Sequence, residues 1–91
     1  MDGTSLIATP LGAVQRGFRG RIIALDARAA EGLAPDELER RLVELGFVEG
    51  DAVEVLHEGP IGGDPIAVRI NGTLIGLRRR EAMAILVQPG S

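Results

Sequence analysis

The chain has no cysteine, no tryptophan, no tyrosine and no lysine among its 91 residues. Without cysteine there is no disulfide framework, no thiolate metal site, no iron–sulfur cluster and no cysteine nucleophile. A reducing cytosol is compatible with that composition. Without lysine there is no P-loop lysine, no Schiff base and no lysine general base, because all ten basic residues are arginine. Aromatic residues are limited to Phe18 and Phe47, and the net charge is −3. Nucleic acid is disfavoured on both counts, since phosphates attract a basic footprint and unpaired bases stack on aromatic rings. An aromatic-lined groove for proline-rich peptides is excluded for the same reason. No stretch approaches the roughly 20 consecutive apolar residues of a membrane helix. The start, MDGTSLIATPLGAV, carries Asp2 where an export signal is basic, and its apolar run is broken by Thr9, Pro10 and Gly12. The expectation is a cytoplasmic protein without direct membrane insertion.

What is present is one domain's worth of core, with 45% of residues hydrophobic. A chain this short removes from water only about 60–65% of its unfolded surface, so the stability margin is narrow. No repeat, low-complexity tract or long Pro/Gly linker divides it. The segment FRGRIIALDA predicts a strand over about 18–26, with Ile22 and Ile23 at its centre. PDELERRLVELG then predicts a helix. Pro35 suits its first turn, and Asp36, Glu37 and Glu39 place negative charge at the positive end of the dipole. Leu38, Leu42 and Leu45 form one apolar stripe, and Gly46 with Phe47 reads as a left-handed stop that folds back on Leu42.

Three period-two patterns follow, predicting strands at about 51–57, 65–70 and 73–78. Val53 and Val55 share one face, as do Ile66, Val68 and Ile70, and then Thr73, Ile75 and Leu77. Asn71-Gly72 between two such runs is a hairpin signal, because both central residues of a type I′ turn need positive φ. Gly59-Pro60 and Gly62-Gly63-Asp64-Pro65 read as a connector loop. A short helix-compatible stretch from Arg79 to Ala84 precedes a last strand, AILVQ. The fold expected is mainly β: a small closed barrel of about five strands, with one helix inserted after the first strand.

The order LVELGFVEGDAVEVL at 42–56, PIGGDP at 60–65, VRING at 68–72, LRRREA at 77–82 and ILV at 85–87 resembles the FeoA family, ferrous iron transport protein A. Leu11, Val14, Gly17, Gly20 and Ile22 are similar to that family's opening. The resemblance covers residues 11–88, leaving 1–10 as an N-terminal extension and 89–91 as a tail. It implies an SH3-like barrel that is not an enzyme and has no cofactor. It also implies an accessory role beside FeoB, the GTPase-coupled ferrous iron permease of the membrane, exerted by protein contact. An alternative of another class is a metal-binding or metal-sensing domain similar to the C-terminal barrel of DtxR-type repressors. The chain has no helix-turn-helix to support it. Departures from the family pattern are residues 1–10, the lengthened 27–34 segment, the extra residue at Gly62-Gly63, and Gly76 in place of a common alanine.

Catalysis finds little to work with, since the lone His57 has no matching nucleophile and orienting group. As a metal ligand His57, beside Glu58, needs further donors such as Asp51, Glu54 or Asp64, or a second copy of the chain. Two uses remain open for the stripe Leu38, Leu42, Leu45 with Phe47: core packing, or a docking ridge. Pro60, Ile61 and Pro65 on the connector and the cluster Arg78, Arg79 and Arg80 complete the candidate partner-binding residues. Homo-oligomers, including strand exchange, are compatible with so small a barrel.

Overall fold

A computed structural model describes residues 8–90 of the chain. Its six strands are β1 (Thr9–Pro10), β2 (Arg19–Leu25), β3 (Ala52–Ile61), β4 (Asp64–Ile70), β5 (Thr73–Leu77) and β6 (Ile85–Pro89). Helix α1 (Pro35–Leu45) lies between β2 and β3, and the single-turn α2 (Arg79–Ala82) between β5 and β6. Short 3-10 turns cover Leu11–Ala13 and Ala27–Ala29. All strand pairs are antiparallel, in the order β1-β6-β2-β3-β4-β5.

The period-two patterns become faces. Val53, Val55, Ile66, Val68, Ile70, Ile75, Leu77, Ile85 and Val87 all point into one core, with Ile22 from β2. In β2 the register with β6 slips between Ile22 and Ala24, so Ile23 is the extra residue of a bulge and lies only half-buried. The Asn71-Gly72 turn has φ of 48° and 75°, joining β4 and β5 in continuous register.

Helix α1 has Pro35 in its first turn, Asp36 and Glu37 beside it, and no side-chain N-cap. Gly46, at φ 104°, ends it. The Phe47 N–H then donates to the Leu42 carbonyl at 3.1 Å, closing the stop that the sequence predicts. Leu38 and Leu42 face inward, Leu45 is half-buried, and Phe47 is 1% exposed. Of the two uses left open for this stripe, the structure takes core packing, which corrects the docking-ridge reading for Leu38, Leu42 and Phe47.

Three other expectations change. Among the described residues the sheet does not close, because its hydrogen-bonded order ends at β1 and β5. Residues Gly59 and Pro60 belong to β3, which runs to Ile61 through register shifts at Val55/His57 and Glu58/Ile61. These bulges accommodate Pro60 inside a strand, a place where a regular ladder would reject it. Finally, Thr9 and Pro10 pair with Val87 and Leu86, adding a sixth strand before residue 11. Residues 1–7 of the expected 1–10 extension, and residue 91 of the expected tail, lie outside the described residues.

Candidate functional site

Strand β3 is longer than its neighbours need. It pairs with β2 only over Ala52–Glu54, while its far half, from His57 to Ile61, pairs with β4 alone. The β3–β4 hairpin therefore projects, turning through Gly62 and Gly63, both at positive φ. At its tip Ile61 is 83% exposed, and Pro60 and Pro65 are exposed beside it. Water gains nothing from that side chain, and the fold does not use it. An apolar residue held out this way suits a partner's pocket.

The turn of the hairpin is fixed by Arg79. Its Nε donates to the Gly63 carbonyl at 2.9 Å, and its Nη1 to the carbonyls of Val14 at 2.7 Å and Gly12 at 3.1 Å. Its Nη2 meets Glu58 Oε2 at 3.2 Å. One planar guanidinium thus joins the hairpin turn, the bulged strand and residues 12–14 at the first 3-10 turn. The same Glu58 oxygen accepts the Arg16 N–H at 2.8 Å, and the Arg79 N–H donates to Asp64 Oδ1 at 2.9 Å. Gly12 packs against α2 so tightly that a Cβ would lie 2.3 Å from the Arg79 carbonyl oxygen.

The arginine run therefore splits by role. Arg78 and Arg80 are exposed, whereas the Arg79 side chain is 21% exposed and committed to the fold. This corrects the reading of Arg79 as part of a free positive cluster. Arg78 and Arg80 line a shallow groove with Leu33, Asp64 and Glu81, next to the hairpin turn. Glu81 accepts the Arg78 N–H at 3.2 Å and meets Arg41 Nη1 of α1 at 3.2 Å, joining the two helices.

His57 is exposed on β3 opposite Ala67. The carboxylates considered as its metal partners are engaged elsewhere: Glu58 with Arg79, Asp64 with the Arg79 N–H, Glu54 with Arg69 at 3.7 Å, and Asp51 with Asn71 Nδ2 at 2.9 Å. Among the described residues no three histidine, cysteine or acidic groups gather as a metal shell would require. No helix among them is long and apolar enough to cross a membrane.

A mainly-β core with a single main helix and a projecting hairpin defines a small SH3-like domain. The FeoA domain model matches residues 9–89, and the chain belongs to the FeoA family, which ties it to ferrous iron transport. The FeoA protein of Chlorobium tepidum is 36% identical, with 91% of this chain and 71% of that chain covered, at a TM-score of 0.72. FeoA of Stenotrophomonas maltophilia, solved in complex with zinc and described as a prokaryotic SH3 domain protein, is 30% identical. That comparison covers 90% of this chain and 89% of that one, with a TM-score of 0.70. A manganese-dependent transcriptional repressor in complex with manganese shares the fold alone, at 22% identity and a TM-score of 0.77. The match takes in 94% of this chain but only 38% of the repressor. Comparison with curated proteins gives no match.

Proposed function

We propose that this chain is a non-catalytic accessory of the FeoB ferrous iron permease, working in the cytoplasm by docking on the GTPase-containing part of that protein. The docking element is the β3–β4 hairpin tip, Pro60, Ile61 and Pro65, flanked by Arg78 and Arg80. One observation carries this reading: Ile61 is 83% exposed at the tip of a hairpin whose turn Arg79 fastens to α2 and to residues 12–14. A fastened hairpin loses little conformational entropy on binding, so its contacts contribute to affinity rather than to ordering the loop. The arginines supply attraction to an acidic partner surface and act mainly on encounter rate. Binding through this tip changes nucleotide turnover or assembly of the permease, with no chemistry performed by the chain itself.

The test is titration of the isotope-labelled protein with the cognate FeoB cytoplasmic part, with and without a GTP analogue, followed by amide shifts in NMR. Shifts confined to 58–65 and 78–80 are expected, and Ile61→Ser should abolish them while leaving the rest of the spectrum in place. Shifts elsewhere on the surface, or an unchanged titration for Ile61→Ser, would remove the hairpin from the interface. No shift with either nucleotide would remove this part of FeoB as the partner.

A further inference from the structure

The two ends of the sheet are unlike. At one end β1 is only two residues long and contains Pro10, both of which blunt an edge against further pairing. At the other end β5, Thr73-Leu74-Ile75-Gly76-Leu77, has no charge, no proline and no bulge in its register with β4. A two-residue turn makes Ile70 and Thr73 a hydrogen-bonded pair, so the bonds to β4 fall to Thr73, Ile75 and Leu77. The N–H and C=O groups of Leu74 and Gly76 consequently point away from β4. Among the described residues, none of these groups finds a protein partner. Leu74 is 58% exposed on the outer face, and a Cβ built at Gly76 on that same face meets nothing within 4 Å.

These features fit one occupant. We infer that β5 pairs antiparallel with β5 of a second copy of this chain about a two-fold axis at Ile75, extending the sheet across a homodimer. In that register Leu74 of each copy lies opposite Gly76 of the other. The residues whose N–H and C=O groups are free on one strand meet the residues whose groups are free on the other, giving a reciprocal hydrogen-bonded pair on each side of the axis. The protruding leucine lies over the position that lacks a side chain, and the axis repeats the fit. Ile75 faces Ile75 as a non-hydrogen-bonded pair, where side chains approach most closely. Further out, Thr73 meets Leu77 and Gly72 meets Arg78, so no like charges are brought together. An unrelated strand would satisfy the backbone groups but would not be required to match the alternation of Leu74 and Gly76.

The register makes a charge-swap test specific. Leu74→Lys with Gly76→Lys places lysine opposite lysine twice, whereas Leu74→Lys with Gly76→Glu places lysine opposite glutamate twice. Both pairs of side chains are accommodated in the monomer, because Leu74 already faces water and Gly76 has open space at an ordinary φ. Sedimentation equilibrium of the full chain from micromolar to millimolar concentration, at low salt, should show a monomer–dimer equilibrium for the unaltered protein. The Lys/Lys variant should remain monomeric throughout, and the Lys/Glu variant should recover the dimer. Independently of any variant, hydrogen exchange at the Leu74 and Gly76 amides should slow as concentration rises. A protein that stays monomeric over the whole range would overturn the inference, as would equal self-association of the two variants. So would slow exchange of these amides at concentrations where only monomer is present, which would mean that the chain's own N-terminal segment covers the edge.

Discussion

Replacing Arg79 by alanine should cost far more stability than replacing either of its arginine neighbours. The side chain is 21% exposed and donates to the carbonyls of Gly63, Val14 and Gly12 and to the Glu58 carboxylate. Each intramolecular hydrogen bond contributes about 1 kcal/mol net, and somewhat more when one partner is charged. The partly exposed pair with Glu58 adds at most about 1 kcal/mol, because solvent screens it. The sum is about 3–4 kcal/mol, a large part of the roughly 5–15 kcal/mol that stabilises a typical domain. For a domain of this size, the melting temperature should fall by about 15–20 °C. Arg79→Lys retains the charge but presents its donors from one nitrogen, which cannot reach Gly63 on one side and Val14 and Gly12 on the other, so it should recover less than half of the loss. Arg78→Ala and Arg80→Ala are the controls, each expected within about 0.5 kcal/mol of the unaltered protein. Urea denaturation of the four variants decides the matter. A loss at Arg79→Ala no larger than at the controls would refute the assignment of Arg79 as the fastener of the hairpin.

Gly59→Ala should destabilise by about 1–3 kcal/mol in the same assay, since the added methyl would lie 2.3 Å from the Asp64 carbonyl oxygen across the hairpin. Leu42→Ala, at a fully buried position under α1, should cost about 2–5 kcal/mol by thermal or urea unfolding. Asn71→Val forces a β-branched residue to φ 48° and should cost about 1–2 kcal/mol, while Asn71→Gly should stay near the unaltered protein in melting temperature. Ile61→Ser should leave the melting temperature unchanged, because the side chain packs against nothing that folding needs.

Legibility followed the length scale of the forces. Helix α1 was readable to its last residue because every signal for it is local: Pro35 at the start, the leucine spacing within, and Gly46 with Phe47 at the stop. The β4–β5 hairpin was equally readable, since Asn71-Gly72 states its own turn geometry. The far half of β3 was not. Gly59 and Pro60 are ordinary loop residues by composition, and only bulges set by the pairing with β4 keep them in a strand. Strand β1 escaped because two residues carry no periodicity and owe their conformation to β6.

Arg79 shows where local reading stops altogether. In Arg78-Arg79-Arg80 three identical side chains stand in a row, and nothing in their chemistry separates them. What separates them is rotation about the start of α2, which turns the middle one toward carbonyls 65 and 67 residues earlier in the chain. Those carbonyls would otherwise end strand and turn segments without partners, a cost the fold avoids by drawing one arginine out of the exposed cluster. The exposed charge of the run is thereby reduced to Arg78 and Arg80, and the hairpin gains a fixed turn. The fastening arginine and the exposed Ile61 are thus two parts of one hairpin: removing the first should loosen it, and removing the second should leave it rigid but without its apolar tip.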